Sequence, residues 1–137
     1  MSLNPKVLEA DRAQAIFQKP FNEFAPRLIS EYRIIQGFKN LKKYSSTFNE
    51  IKQIYGVSPG VLASFWALET DFGEVQGDFN TRDALVTLAF DCRRPLLFRP
   101  QIFAALELFS QNQFKPNTTK GAWAGEIGMV QMLPKDI

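Results

Sequence analysis

Ser58-Pro59-Gly60-Val61-Leu62-Ala63-Ser64-Phe65-Trp66-Ala67-Leu68-Glu69-Thr70-Asp71-Phe72-Gly73 carries a helix start, a helix body and a helix stop. The Ser58 hydroxyl can accept from the free amides of a first turn, and Pro59 suits the first helical position, where no amide partner is needed. The pattern predicts a helix to about Phe72, ended by Gly73. At about 100° per residue, Leu62, Phe65, Glu69 and Phe72 fall on one face, while Asp71 points elsewhere. Glu69 therefore lies within an apolar stripe. Burial among apolar groups disfavours the charged form of a carboxyl. A carboxyl that keeps its proton near neutral pH can donate it to a leaving oxygen. The same spacing also suits a buried glutamate that pairs with an arginine or caps a neighbouring helix. The helix pattern alone leaves both readings open.

The flanking sequence has the same period. Upstream, Phe48, Ile51, Ile54 and Tyr55 form a stripe closed by Gly56, a natural C-cap. Before it, Leu28, Ile29, Tyr32 and Ile35 predict a helix from about Pro26 that ends near Gly37. Phe38, Leu41 and Tyr44 continue the period, and Ser45-Ser46-Thr47 break or kink it. Pro20 and Pro26 bracket a predicted turn, after a thinly patterned helix over residues 4–17. Downstream, residues 81–90 place Ala84, Leu85, Leu88 and Ala89 on one face. A further helix starts near Pro95 or Pro100 and carries Ile102, Phe103, Leu106 and Phe109. The Phe-rich stripes read as core. Beyond Pro116 come Gly121, Gly125 and Gly128, then Pro134. No two-residue alternation appears, so the expected architecture is all-α, with residues 1–137 as a single helical domain.

Composition narrows the chemistry. The 137 residues are 45% hydrophobic and 22% charged, ordinary values for a globular protein and unlike a disordered tail. A net charge of +2 fits weak attraction to an anionic polymer but falls far short of a nucleic-acid footprint. The absence of histidine removes the commonest general base and every histidine zinc site. The single Cys92 cannot form an internal disulfide. No apolar run approaches a membrane span, and the first residues lack the basic and apolar regions of a signal peptide.

Several strings, in order, resemble the membrane-bound lytic murein transglycosylase B family. Phe65-Trp66-Ala67-Leu68-Glu69-Thr70-Asp71-Phe72-Gly73 is similar to the family's Trp-Gly-(Val/Met/Leu)-Glu-Thr-x-(Phe/Trp)-Gly. Ile54 to Pro59 resembles its Tyr-Gly-Val-Pro segment, and Asp83 to Phe90 its Asp-Ala-Leu-Ala-Thr-Leu-Ala-(Tyr/Phe). Gly121 to Pro134 is similar to Gly-Ser-(Trp/Phe)-Ala-Gly-Ala-Met-Gly-x-x-Gln-Phe-Met-Pro. The resemblance covers roughly residues 26 to 137 and implies an incomplete lysozyme-like helical catalytic domain of the goose-type/lytic transglycosylase kind.

The resemblance also implies an activity. Such enzymes cleave the β-1,4 bond between N-acetylmuramic acid and N-acetylglucosamine in peptidoglycan, leaving 1,6-anhydromuramoyl ends. Glu69 would be the single acid/base, with no cofactor and no metal. Gln131 matches the family's active-site glutamine, although a surface amide has the same signature. Gly125 and Gly128 suit close approach to the glycan or tight turning. Arg93 and Arg94 correspond to a pair able to meet stem-peptide carboxylates, or they serve the preceding helix C-terminus. Trp123 suits a sugar platform, or more readily a core position. The implied partner is the peptidoglycan strand and the implied place the periplasm, with outer-membrane attachment through a lipidated segment outside this sequence.

Three residues depart from the family pattern. Ala122 replaces a serine whose hydroxyl would contact the catalytic carboxyl, Glu126 replaces an alanine, and Met129 replaces a polar residue. There is no Asp-rich calcium loop, and a Tyr- and Asn-bearing stretch of the family site is expected past Ile137, so the segment alone is expected to be weakly active or inactive. A non-catalytic peptidoglycan-binding module, or a cytosolic helical interaction protein, stands as the competing expectation.

Overall fold

The computed structural model describes residues 3–13 and 20–137. Its regular elements are α1 (Pro5–Arg12), α2 (Phe21–Leu28), α3 (Glu31–Lys43), α4 (Ser45–Tyr55), α5 (Pro59–Thr70), β1 (Phe79–Asn80), α6 (Thr81–Phe90), α7 (Pro95–Ser110) and β2 (Lys120–Gly121). A short 3-10 turn follows at Pro134–Asp136. The all-α expectation is met apart from one antiparallel strand pair, with Phe79 opposite Gly121 and Asn80 opposite Lys120. The chain forms two compact units, Ile16–Val75 and Met1–Ala15 with Gln76–Ile137.

In the Ile16–Val75 unit several local expectations give way to packing. The turn predicted between Pro20 and Pro26 is the helix α2, whose N-cap Pro20 carbonyl accepts from Glu23 and Phe24 at 3.0 and 3.1 Å. Pro26 sits inside it, since proline removes one amide only and a short helix has few interior bonds to lose. Ser30 opens α3 by accepting from the Arg33 amide at 3.2 Å. That helix runs through Gly37 rather than ending there. Gly37 leaves the helix surface open to Phe72, whose ring tip lies 3.7 Å from where a Cβ would stand. Gly56 does close α4, in the left-handed conformation at φ 72°.

α5 begins at Pro59 as expected, but the Ser58 hydroxyl makes no capping bond; its carbonyl accepts from Val61 and Leu62 instead. The helix stops at Thr70 rather than Phe72. It packs against α3 and α4 and buries Ala63, Ala67 and Thr70, not the Leu62-Phe65-Glu69-Phe72 face. Phe65 is 56% exposed. The helix is apolar on nearly every side, so its pattern could not select the buried face. An aromatic run of Tyr44, Trp66 and Phe72, with ring centroids 5.8 and 5.4 Å apart, completes the packing.

The other unit is built on α6 and α7. Asn80 caps α6 by accepting from the Asp83 amide at 3.1 Å, and Ala84, Leu85, Leu88 and Ala89 are buried as expected. α7 starts at Pro95 and carries Pro100 within it. Its buried row is Phe98, Gln101, Ala105 and Leu108, whereas Phe103 is 72% exposed and Leu106 and Phe109 are exposed too. The expectation that the Phe-rich stripes are all core is thereby corrected: α7 is apolar on two faces, and only one meets α6 and the 3-10 turn. α1 ends at Arg12, short of the predicted reach; residues 14–17 of that prediction lie outside the described residues. The Asn4 amide donates to the buried Thr87 hydroxyl at 2.9 Å, tying α1 to α6.

Candidate active site

Glu69 stands in the last turn of α5 and is exposed, and among the described residues no group bonds to its carboxyl. The partial burial expected for it is therefore not supplied by these residues. The backbone just after it is unusual. Asp71 and Phe72 are left-handed, at φ 48° and 61°, before Gly73 at 93°. L-residues occupy this region at a cost, and such residues gather where surrounding structure imposes them. Here the amides are all used: Asp71 to the Ala67 carbonyl at 3.0 Å, Phe72 to Trp66 at 3.1 Å, and Val75 to Thr70 at 2.9 Å. The Thr70 hydroxyl donates to the Trp66 carbonyl at 3.3 Å and accepts from the Gly73 amide at 2.9 Å. The string Glu-Thr-Asp-Phe-Gly is a built turn, with Thr70 as its internal brace.

Consecutive residues of α3 grip this turn. Arg33 Nε donates to Asp71 Oδ1 at 2.5 Å, and the Tyr32 hydroxyl donates to Glu74 at 3.1 Å. The hydrogen bond from Arg33 lowers the pKa of the Asp71 carboxyl, outweighing desolvation, and the same bond raises that of Arg33. The bond to Glu74 raises the pKa of the Tyr32 hydroxyl. A carboxyl with a lowered folded pKa stabilises the fold above its unfolded pKa of about 4, and that stability disappears as pH falls through the folded value. Thermal unfolding of wild type and Asp71→Asn at pH 6 and about pH 2 should show this. The difference, on the order of 1 kcal/mol for a pair at the surface, is expected at pH 6 and absent at the lower pH.

The remaining residues singled out from the sequence lie in the Gln76–Ile137 unit. Gln131, at φ 49°, donates its side-chain amide to the carbonyls of Gln76 (3.2 Å) and Gly128 (2.9 Å). Both partners are carbonyls, so the two hydrogens of the amide nitrogen are both engaged. Arg93 and Arg94 both bond the buried Asp11, Arg93 also bonds Asp91 at 3.2 Å, and each arginine remains partly exposed. The Arg94 guanidinium lies 5.1 Å from the Phe98 ring centre and 6.0 Å from that of Trp123. Trp123 is half-buried against the core. Ala122 and Glu126 close a turn, the Ala122 amide donating to the Glu126 carbonyl at 3.0 Å.

The two glycines differ. Gly125 has φ 91°, and a Cβ there would stand 2.3 Å from a methyl of the buried Leu85; Gly128 has φ 80° and open space beside it. Gly125→Ala is expected to cost about 2–3 kcal/mol, strain plus overpacking, against about 1 kcal/mol for Gly128→Ala. Chemical denaturation of the two variants checks this. Equal losses would mean that Leu85 yields freely.

Gln131 and Gly128 thus come together through a hydrogen bond, and Arg94 and Trp123 through ring contact, within one unit. Glu69 belongs to the other. Arg33, Asp71 and Asp11 were invisible as partners in the sequence, because each bond spans 38 or 83 residues. Among the described residues no cluster of metal-ligating side chains occurs, and no helix is long and apolar enough to cross a membrane.

A mostly helical fold of this kind is that of the lysozyme-like lytic transglycosylases. The fold matches SltB3 from Pseudomonas aeruginosa, solved in complex with NAG-NAM-pentapeptide, with a TM-score of 0.90 and 29% identity over 98% of this chain and 36% of that one. It also matches the Escherichia coli lytic transglycosylase Slt35 in complex with bulgecin A, with a TM-score of 0.85 and 28% identity over 96% of this chain and 43% of that one. The membrane-bound lytic murein transglycosylase B of Escherichia coli (strain K12) is 30% identical over 112 residues, 81% of this chain and 31% of that protein. The transglycosylase SLT domain model matches residues 1–137, and the chain belongs to that family. It spans about a third of the length of the transglycosylase B relative.

Proposed function

We propose that the protein is a lytic transglycosylase of the bacterial cell wall that cleaves the β-1,4 bond between N-acetylmuramic acid and N-acetylglucosamine, with Glu69 as the acid/base. The observation that carries this reading is Glu69 itself. It is a solvent-exposed carboxyl with no bonding partner among the described residues, at the head of a braced left-handed turn, in a chain of the transglycosylase SLT domain family.

A glycosidase ordinarily needs two carboxylates. One suffices here because the substrate supplies the nucleophile. Protonated Glu69 gives its proton to the glycosidic oxygen as the bond from C1 breaks, and the muramoyl N-acetyl oxygen supports C1. The Glu69 carboxylate then takes the proton of the muramoyl 6-hydroxyl as that oxygen closes on C1. No water is consumed, and the carboxyl ends protonated.

In this reading residues 1–137 are the first part of a catalytic domain. Gln131, its amide nitrogen held by two carbonyls, offers its oxygen to a sugar donor. Gly128 leaves room for the glycan, and Gly125 serves the turn beneath it. Arg93 and Arg94 keep exposed edges that could meet stem-peptide carboxylates while holding Asp11. Trp123 packs against the core of its own unit. The place of action is the periplasmic murein.

Digestion of purified murein sacculi by the full-length protein, with products identified by mass spectrometry, tests the reaction. Anhydromuropeptides are expected. Reducing ends would mean hydrolysis and a second carboxylate. Sacculi bound but uncut would favour a binding module, a reading that Ala122 and Glu126 support.

A further inference from the structure

The residue after next from Glu69 is Asp71, and its left-handed backbone needs a reason to persist. Phe72, equally left-handed, has one: its ring meets Trp66 edge-on at 5.4 Å. Asp71 has Arg33. The guanidinium donates from Nε to the Asp71 carboxylate at 2.5 Å and from Nη1 to the Leu28 carbonyl at 2.8 Å, so it is oriented from both sides. The Asp71 and Phe72 amides in turn bond the carbonyls of Ala67 and Trp66, the helical turn that carries Glu69. Releasing Asp71 would therefore let the end of α5 unwind from the residue beside the glutamate.

We propose that Arg33 is a positioning residue for Glu69, acting through the Asp71 carboxylate to hold the turn that fixes the end of α5. The inference rests on the proposed acid/base role of Glu69. Arg33 is assigned no contact with the glutamate or the sugar; it sets the direction from which the carboxyl meets the glycosidic oxygen. The pair lies wholly within the Ile16–Val75 unit. The depressed pKa of the Asp71 carboxyl agrees with an ion pair that stays formed at neutral pH.

The experiment is a double-mutant cycle in the full-length protein, assayed on murein sacculi. Arg33→Met is expected to lower kcat by about 10- to 100-fold, the scale of small misplacements of a catalytic group, with KM changed by less than about twofold. Arg33→Lys, which keeps one donor and the charge, is expected to recover part of the loss. Glycine adopts the left-handed turn without help. In an Asp71→Gly background, adding Arg33→Met should therefore cost less than about threefold. A readout independent of turnover is amide exchange by NMR, where Asp71 and Phe72 are expected to exchange about tenfold faster in Arg33→Met. If Arg33→Met does not fold, the Arg33→Lys and Asp71→Gly comparisons decide. Equal kcat losses in both backgrounds, or unchanged exchange at Asp71 and Phe72, overturn the proposal. A wild type with no murein turnover sinks the role of Glu69 instead, and the exchange comparison still tells whether Arg33 holds the turn.

Discussion

Glu69→Gln in the full-length protein is expected to slow anhydromuropeptide release by about 10²- to 10⁴-fold, the usual contribution of a positioned general acid or base. Glutamine keeps the shape of the side chain but can neither deliver the proton to the glycosidic oxygen nor take the one from the 6-hydroxyl. The structure makes this a clean substitution. Glu69 is exposed and makes no bond among the described residues, so stability should change by no more than about 0.5 kcal/mol. Product release followed by mass spectrometry, beside a thermal melt of the same sample, separates chemistry from folding. Activity retained within a few-fold would remove Glu69 from the mechanism and direct attention to the half-buried Glu126.

Gly77→Ala is expected to cost the Gln76–Ile137 unit about 3–4 kcal/mol, more than either Gly125→Ala or Gly128→Ala. Two effects add. Gly77 has φ 91°, and a Cβ there would stand 2.2 Å from the Gly121 carbonyl oxygen and 2.7 Å from the Ala122 amide nitrogen. Those are backbone atoms of β2 and of the residue after it, and β2 pairs with β1, which begins two residues beyond Gly77. They cannot move aside as a side-chain tip can. Relief would require separating the strand pair that sets the run Gly121 to Gly128 against α6. Gly128→Ala, strained in φ but free of neighbours, is the reference in the same unit, measured by urea denaturation. A Gly77→Ala loss no larger than that reference would show that the close approach carries no energetic weight.

The exposed apolar faces of α5 and α7 modify the picture drawn from hydrophobic periodicity. Phe65, Leu68, Phe103 and Leu106 have the spacing of core residues, yet the described residues leave them uncovered. Periodicity reports that a face is apolar. Whether that face is buried depends on what arrives to cover it.

That distinction separates what was legible from what was not. The span of α6 could be read from its apolar face, and the start of α7 from Pro95 and the stop of α4 from Gly56, because caps and breakers act over three or four residues. The string around Glu69 stood out only through its family resemblance, and Gly73 does not end the helix, which stops at Thr70. The grip of Arg33 on Asp71, the clasp of Arg93 and Arg94 on buried Asp11 and the pressing of Gly77 on Gly121 could not be read. Each joins residues tens of positions apart, and no local signal encodes which of several apolar or charged faces will meet. The same holds for α5, whose last turn carries Glu69. Its sequence is apolar almost all round, and the arrival of α3 and α4 on the Ala63-Ala67-Thr70 side left the glutamate facing solvent.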